Sequence, residues 1–375
     1  MVTMYIHNNN VTIETLNIEG TLAGWPQYGG INNQGGKINT INVKQGGKIE
    51  QGIRNNNGTI QTLTIQGQVQ GGVHNNRNGK INTINVKQGG KIEQGIRNNN
   101  NGTMQTLTIS GGGQVQGGVN NSGTLTTLNL NNGGTINGGI NNNRTMGSIS
   151  VSDSTVNGGI NNSNANSTLN NITVETGGNI NGGIHNGNTN SRITGNVTIK
   201  GNVTGKVTNA GTITNNITIS DGGTIDASNA SDPQNAIDNS GTIQGKIEVA
   251  GQNSNLNKNI KNSGSINQGI EIKDNAVIVG VDNSGTVGSV KVENNANITG
   301  DISNQNTITN GVTIANSNIG GNIVNSGSNA NTGNISITGT SNVGGSIVNQ
   351  NGATFNNQIT LDQNSKLGGI SNNAN

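Results

Sequence analysis

A 22-residue sequence that occurs twice, letter for letter, constrains this chain more than any other feature. GKINTINVKQGGKIEQGIRNNN spans Gly36–Asn57 and recurs 43 residues later, at Gly79–Asn100. The segment between the two copies, Thr59–Lys80, is a degenerate version of the same pattern, so the repeating unit has roughly 21–23 residues. A period of this length is typical of a solenoid, in which each repeat buries its apolar face against its neighbours.

The unit reads I-x-x-I-x-I, a Gly/Asn turn, I-x-G-G-I, Asn-Asn and Gly-Thr, and it can be followed through most of the chain. From Ile193 onward the first spacing usually widens from three residues to four, and in one drifted coil Ile335 and Ile337 fill the second and third apolar positions. The pattern predicts an all-β parallel β-helix, or β-solenoid, of about sixteen coils of roughly 20–24 residues. The other coils begin at Ile13, Ile38, Ile60, Ile81, Met104, Leu125, Met146, Leu169, Ile193, Ile213, Ile243, Ile266, Val287, Ile308 and Phe355.

Short strands are predicted because the apolar residues within a unit alternate with polar ones, as at Leu63 and Ile65. The residues between these runs are mostly Gly and Asn, which are poor helix formers and suit tight corners. The chain has 79 Asn and 62 Gly but only 10% charged residues. We therefore expect ordered coils, with asparagine side chains stacked in hydrogen-bonded ladders.

The repeat extends through nearly all of the chain and predicts a single β-solenoid domain over 1–375. Residues 1–37 are expected to form an N-terminal capping coil with an insertion at Trp25–Tyr28, which contains Pro26 and the only Trp. An aromatic binding spot is the alternative interpretation of that insertion. A second insertion is predicted at 226–238, in the longest coil.

The second insertion also provides the candidate ligand loop, because Asp226, Asp232 and Asp238 lie close together in sequence, near Asp221. Clustered carboxylates could hold Ca²⁺ or a sugar, or they could be ordinary turn residues in a solvated loop. The other acidic residues are scattered, mostly one at a time. We therefore predict no catalytic residues, no metal site and no cofactor.

Histidines and a repeated basic group are the other candidates for chemistry. His7, His74 and His185 occur in similar contexts many residues apart, and we expect them to be exposed corner residues that share no metal. The basic group is predicted to form a mildly basic patch that could attract an acidic glycan or simply keep a face solvated. Its members are Lys44, Lys48 and Arg54, repeated as Lys87, Lys91 and Arg97.

Composition argues against several classes of function. The net charge is only +2 and aromatic residues make up 1% of the chain, so nucleic-acid binding is not expected. Cysteine is absent, and no apolar run is long enough for a transmembrane helix. The first ten residues lack the apolar core of a signal peptide, and we expect a segment whose signal has been removed.

The assembled motif, G-G-I-x-N-x-G-T-I followed by an I-x-I strand, resembles the passenger region of autotransporter adhesins of Gram-negative bacteria. Its pieces stand at Gly138–Asn142 (GGINN), Asn239–Ile243 (NSGTI), Asn262–Ile266 (NSGSI) and Asn283–Val287 (NSGTV). The resemblance implies a right-handed, three-faced β-helix displayed outside the cell at the bacterial surface. It covers nearly the whole chain and says little about activity.

These observations predict a non-enzymatic, extracellular structural or adhesive rod, a passenger-type surface segment that mediates attachment or self-association. Its receptor would be a host surface or a glycan, as in virulence or biofilm formation. Two alternatives remain: a glycan-degrading β-helix enzyme that uses the loop 226–238, and an ice-binding solenoid. Thr62 and Thr64 suggest the latter, although equivalent positions such as Lys246 and Glu248 make that array irregular.

Overall fold

The computed structural model describes residues 4–99, 101–230, 234–355 and 357–373, and every regular element among them is a β-strand. Named strands pair only in parallel, each with the equivalent strand one coil away. Two compact units divide the chain, Met1–Gly182 and Gly183–Asn375. The predicted all-β, parallel β-solenoid of about sixteen coils is confirmed. The predicted boundaries of the single domain, the capping coil 1–37 and the insertion 226–238 stay predictions.

Each coil of the unit Met1–Gly182 contributes three strands, here called the first-, second- and third-face strands in chain order from I-x-x-I-x-I. First-face strands are Thr12–Ile18, Lys37–Val43, Thr59–Ile65, Lys80–Val86, Thr103–Ser110, Thr124–Asn131, Thr145–Val151 and Thr168–Val174. Second-face strands are Thr21–Leu22, Lys48–Ile49, Gln68–Val69, Lys91–Ile92, Gln114–Val115, Thr135–Asn137, Thr155–Asn157 and Asn179–Asn181. Third-face strands are Ile6–Asn9, Ile31–Gln34, Ile53–Asn56, Val73–Asn76, Ile96–Asn98, Val119–Asn121, Ile140–Asn142 and Ile160–Asn161.

In the unit Gly183–Asn375 the first-face strand is usually split in two, and most of these coils have the wider four-residue spacing. First-face strands are Arg192–Ile193, Val197–Ile199, Thr212–Ile213, Ile217–Ile219, Thr242–Ile243, Lys246–Ala250, Ser265–Ile266, Gly269–Lys273, Thr286–Val287, Val290–Glu293, Thr307–Ile308, Val312–Ala315, Asn331–Thr332, Ile335–Thr338 and Ile359–Leu361. Second-face strands are Asn202–Thr204, Thr224–Asp226, Asn255–Leu256, Val277–Ile278, Asn297–Ile298 and Asn318–Ile319. Third-face strands are Ile184–Asn186, Val207–Asn209, Asn235–Asn239, Asn259–Asn262, Val281–Asn283, Ile302–Asn304 and Ile323–Ser326; Asn342–Gln350 and Lys366–Asn373 run from the second face to the third.

Apolar ladders fill the interior because the inward positions of successive coils fall into register. Ile41, Leu63 and Ile84 lie one above another and are fully buried. Each such Ile, Val or Leu contributes about 1.5–3 kcal/mol by leaving water. The drifted coil keeps this register, since Ile335 pairs with Val312 and Ile337 with Ile314.

A second ladder, made of buried asparagines on the third face, runs beside the apolar ones. In each unit the Nδ2 of one asparagine donates to the Oδ1 of its counterpart in the following coil at 2.7–2.9 Å. Most also donate to backbone carbonyls at the neighbouring corner, as Asn55 does to Gly58 O at 3.0 Å. All these side-chain bonds run in one direction, so Oδ1 of Asn8, the first member, has no donor.

The glycine of the N-x-G-T-I phrase lies where two coils approach each other closely. A Cβ at Gly123 would stand 2.2 Å from the carbonyl oxygen of Gly102 in the preceding coil, and one at Gly264 would stand 2.0 Å from that of Gly241. Neither has a positive φ, so the requirement for glycine is a lack of space rather than a left-handed backbone. The phrase thus combines a buried asparagine with the glycine that lets the next coil approach.

Candidate functional site

Two aspartates of the predicted acidic ligand loop lie in different strands, and the loop as a ligand site stays a prediction. Asp226 ends a second-face strand, in register with Thr204, while Asp238 lies in a third-face strand, in register with Thr208 and Lys261. Asp232 lies outside the described residues. Among the described residues, no group of three or more His, Asp or Glu is placed to hold a metal ion.

Asp226 is exposed and satisfied by its own neighbourhood. Its carboxylate accepts a hydrogen bond from the backbone N–H of Ser228 at 2.9 Å and another from the amide of Asn257. The Ser228 bonds lower the pKa of Asp226 below its ordinary value, against an opposing effect of burial, and the bond from Asn257 and the charge of Lys258 add to the lowering. This is the geometry of an Asx-type turn anchored to the next coil.

The three histidines occupy one equivalent position, between the inward apolar residue and the ladder asparagine of a third-face strand. They are therefore strand residues rather than corner residues, and only His7 is exposed, while His74 and His185 are half-buried. His185 contacts the Thr208 hydroxyl through Nδ1 at 2.9 Å, and His74 contacts the Gly71 carbonyl through Nε2 at 2.9 Å.

The repeated basic residues are spread around the coil. Lys44 and Lys87 lie in exposed turns after the first-face strands. Lys48 and Lys91 lie on the second face, where they pair with Glu50 at 3.0 Å and Glu93 at 3.4 Å.

Arg54 and Arg97 lie on the third face, on either side of His74. The repeated group therefore does not form one patch, because its members lie in turns, on the second face and on the third face. Of its members, Arg54 hydrogen-bonds to the loop that carries the aromatic residues described next.

An aromatic corner, defined here as Tyr5, Trp25 and Tyr28, is the most distinctive surface feature of the unit Met1–Gly182. The rings of Tyr5 and Tyr28 are stacked, with centroids 6.1 Å apart and planes at 18°, and Tyr5 also lies 6.5 Å from Trp25. All three remain open to solvent, with exposures of 39% for Tyr5, 49% for Trp25 and 45% for Tyr28. The chain has four Trp, Tyr and Phe residues in total, so three of the four share this corner.

The loop that carries the aromatic corner is held by its own turn and by one arginine. The N–H of Tyr28 donates to Trp25 O at 3.1 Å, which closes a turn with Pro26 at its second position, where proline's fixed φ is favourable. The Arg54 guanidinium, from the third-face strand Ile53–Asn56, donates to Pro26 O at 3.0 Å and Gln27 O at 2.9 Å. The segment predicted as an insertion, Trp25–Tyr28, is thus a loop held in place by its own turn and by Arg54.

Beside this loop is a polar recess, lined by amides and guanidinium groups. Asparagines in its wall hydrogen-bond to one another along the coils: Asn56 Nδ2 donates to Asn32 Oδ1 at 2.9 Å, and Asn76 Nδ2 to Asn56 Oδ1 at 3.0 Å. The lining residues are Gln27, Tyr28, Asn32, Gln34, Arg54, Asn56, Asn57, Asn76 and Arg77. Amides act as donors and acceptors together, which suits a ligand rich in hydroxyl groups.

Positive charge accumulates around this recess. Within the described chain no carboxylate lies within 4.0 Å of the guanidinium group of Arg54, Arg77 or Arg97. Burial of His74, together with the charges of Arg97 and Arg54, lowers the pKa of its imidazole despite the opposing bond to Gly71 O. The recess is therefore electropositive even with His74 neutral.

The sequence draws attention to Trp25–Tyr28 but does not reveal Tyr5 and Arg54 as its partners. Tyr5 lies one coil earlier than Trp25 and Tyr28, and the bond from Gly24 N to Met4 O brings the two segments together at 2.9 Å. The signal that could have revealed this is the concentration of both tyrosines and the tryptophan in the first 28 residues. Nothing in the exact repeat distinguishes Arg54 from Arg97.

A separate feature, the threonine column, lies on the first face of the same unit. Thr15, Thr40, Thr62, Thr83, Thr106 and Thr127 are in register through six successive coils. Ser148 and Asn171 continue the column. In this unit the position of Thr62 is therefore regular, whereas the position of Thr64 alternates between threonine and asparagine, as the predicted irregularity of the array requires.

Comparisons with known proteins leave the chain without an assigned family. No family model matches it, and no curated protein matches it. Among solved structures, the crystal structure of a TibC-catalysed hyper-glycosylated TibA fragment, 55–350, matches with 16% identity and a TM-score of 0.25, covering 98% of this chain and 99% of that chain. Because such a TM-score is too low to establish a shared fold, the fold of this chain is assigned from its own strand pairing.

No helix in the described part of the chain has the length and apolar character needed to cross a membrane.

Proposed function

We propose that this chain is an extracellular, passenger-type segment displayed on a bacterial surface, with structural and adhesive roles and no enzymatic activity. The main support for this proposal is the difference in sequence variation between the inward and the outward positions of the third-face strands. Inward positions are nearly constant, an apolar residue and a ladder asparagine, whereas the outward residue between them changes from coil to coil. It is His7, Asn32, Arg54, His74, Arg97, Asn120 and Asn141 in successive coils.

A constant interior with a variable exterior suits a protein that presents side chains rather than one that assembles a catalytic centre. Hydrogen-bonded asparagines and apolar residues stabilise each coil against its neighbours, so outward residues are free to vary without cost to the fold. The N-x-G-T-I phrases add the resemblance to adhesin passengers. Attachment to a host surface or glycan, or self-association, would then depend on exposed residues such as those of the aromatic corner.

Surface display of the full chain tests this proposal. Non-adhesive bacterial cells that carry the chain on their surface should cluster, or should be retained on host-cell monolayers, more than cells with the same display system and no insert. Protease removal of the displayed chain should abolish the effect. Equal settling and equal retention of both cell types, at confirmed surface abundance of the chain, would contradict the adhesive role.

Ice binding is a second candidate function, favoured by the threonine column. A flat sheet face with one residue type repeated at the strand spacing of about 4.8 Å is a regular array of hydroxyl and methyl groups. If the column binds ice, the protein should show thermal hysteresis that is lost in Thr83→Lys and retained in Thr135→Lys, which changes a second-face threonine. Absence of hysteresis in the parent protein would dismiss this candidate.

A further inference from the structure

The aromatic corner and the polar recess together have the chemistry of a site for one class of ligand. Sugar rings present C–H groups on one face and hydroxyl groups around the edge. Aromatic side chains offer large apolar surfaces with a defined orientation, and amides offer donors and acceptors in pairs. Here the ring of Tyr28 lines the recess, and Tyr5 and Trp25 extend the aromatic surface outward from it.

The exposure of these three rings is unexplained by packing of the coil. In the coils between the ends of the described chain the large apolar side chains of the inward positions are almost completely buried, whereas Leu361 and Ile370, in the last coil, are 46% and 61% exposed. The exposed Trp25, Tyr5 and Tyr28 rings form a local aromatic surface next to the polar recess. Such a surface, rimmed by polar groups, is typical of a binding site.

The loop is also held in place before any ligand arrives. The Trp25–Tyr28 turn closes on itself, and Arg54 fixes two of its carbonyls from the next coil. The wall of the recess is fixed by the Asn32, Asn56 and Asn76 bonds between coils. A preformed site loses less conformational entropy on binding than a mobile one, which favours measurable affinity for a small sugar.

The positive charge of the recess favours acidic sugars over neutral ones. Arg54 and Arg77 line the recess, and no carboxylate of the described residues lies within 4.0 Å of either guanidinium group. Arg54 is occupied with loop carbonyls, whereas Arg77 is exposed and its side chain is available to a ligand. A guanidinium group pairs with a carboxylate through two parallel hydrogen bonds, so a carboxylate-bearing sugar is favoured over its neutral counterpart.

We propose that the aromatic corner and the adjoining recess bind an acidic sugar, with the pyranose ring against Tyr28 and the carboxylate toward Arg77. This inference rests on the adhesive function proposed above and gives it a ligand class. The amides of Asn56 and Gln27, which are accessible to solvent, would meet the ring hydroxyls. No reaction is involved, because the site holds the sugar without changing it.

Binding to matched acidic and neutral oligosaccharides tests the proposal on the purified full chain. The probes are 3′-sialyllactose against lactose, and a hyaluronan hexasaccharide against chitohexaose. We expect at least one acidic member to bind with a Kd about tenfold lower than its neutral partner, and to alter the fluorescence of Trp25. If neither acidic sugar binds better than its neutral partner, the proposal is wrong.

Three variants locate the binding. Tyr28→Ala should weaken binding of the acidic sugar about tenfold or more by removing the ring from the recess. Arg77→Asn should remove the preference for the acidic member, and asparagine tolerates the left-handed backbone at this residue, where φ is 56°. Lys87→Gln removes the same charge from an exposed turn outside the recess and should leave binding unchanged.

The pattern of outcomes separates this site from the general function. Equal losses in Arg77→Asn and Lys87→Gln would indicate attraction by net charge alone and would overturn the site. Unchanged binding in Tyr28→Ala would overturn it as well, provided that circular dichroism shows both variants folded. If cells displaying the full chain still adhere but the purified protein does not bind acidic sugars, the adhesive function is supported and this inference is wrong.

Discussion

Asn121 donates from Nδ2 to Oδ1 of Asn142 at 2.9 Å, and both side chains are buried. Asn142 in turn donates to Oδ1 of Asn162 at 2.8 Å and to the Thr168 carbonyl at 2.9 Å. One asparagine thus joins three coils through its side chain alone. The ladder satisfies polar groups that the tight corners would otherwise leave buried without partners, and each of these would cost free energy.

Replacement of Asn142 by alanine should lower the free energy of unfolding by about 1–3 kcal/mol, since it deprives buried groups of their hydrogen bonds. Asn143→Ala is the matched control, because Asn143 is the next residue, is exposed and makes only a long 3.4 Å side-chain bond to Ser122. Urea denaturation followed by circular dichroism measures both. Equal stability of the two variants would mean that the ladder does not stabilise the coils.

Glycine at the corner leads to a second prediction. Alanine at Gly123 would place its Cβ 2.2 Å from the Gly102 carbonyl, so the coils must move apart, and a loss of about 1–3 kcal/mol is expected for such overpacking. Gly20→Ala is the control, because a Cβ there meets nothing within 4 Å and its φ is not positive. Thermal unfolding should separate the two variants. A Gly123→Ala protein as stable as Gly20→Ala would show that the corner relaxes freely.

The interior could be predicted from sequence because it depends on position in a repeat. Ile at inward places and Asn-x-Gly at corners have the same neighbours in every coil, so the pattern of one coil predicts the packing of the next. The aromatic corner could not be predicted in this way. Arg54 and Arg97 stand at equivalent places in identical 22-residue sequences, yet only Arg54 has the loop carbonyls of Pro26 and Gln27 within reach.

The acidic loop is difficult to predict from sequence for a different reason. Asp226, Asp232 and Asp238 are close in sequence, but in a solenoid a dozen residues can carry the chain from one face to the next. Asp226 and Asp238 lie in strands of different faces, each in register with residues of other coils. Nearness along the chain therefore does not by itself place Asp226 and Asp238 on one face.

An ion-pair quartet in the unit Gly183–Asn375 gives a third prediction. Glu248 and Glu271 lie side by side in register, and Lys246 and Lys273 each bridge both carboxylates at 2.5–3.0 Å. Glu271→Gln should lower the free energy of unfolding by about 1 kcal/mol at low salt and by less at high salt, because these groups are partly solvated. Glu50→Gln, which breaks the isolated pair with Lys48, should cost less.

The contribution of this ion-pair quartet to the free energy of unfolding also depends on pH. Burial raises the pKa of Glu248 and Glu271, but bonds to the two lysines outweigh it and leave both pKa values below normal. The stabilisation from the two glutamates is therefore fully present above a pH of about 4.3, and it is lost as the pH falls through their lowered pKa values. Bonds to Glu248 and Glu271 raise the pKa of Lys273, so its contribution is lost only as pH rises beyond about 10.4. A Glu271→Gln profile of the same shape as the parent's would contradict this account.

His74 provides a fourth prediction, for the range between neutral and mildly acidic pH. Burial and the two flanking arginines lower its pKa, so the unfolded chain binds a proton at higher pH than the folded one. Stability from this residue is present above a pH of about 6.5 and is lost as pH falls below it. His74→Asn should flatten the dependence of Tm on pH between about 7 and 5. His7→Asn, at the equivalent exposed position, is the control.

The pinning of the aromatic loop by Arg54 leads to the last prediction, and the only tryptophan reports on it. Arg54→Ala removes both bonds to the Pro26 and Gln27 carbonyls, so the turn should become more mobile. Trp25 fluorescence should then show lower anisotropy and stronger quenching by acrylamide. Arg97→Ala removes the same side chain from the equivalent place two coils away and should leave both signals unchanged. Identical signals in the two variants would mean that the Trp25–Tyr28 turn keeps its own shape, and that Arg54 matters to the recess only through its charge.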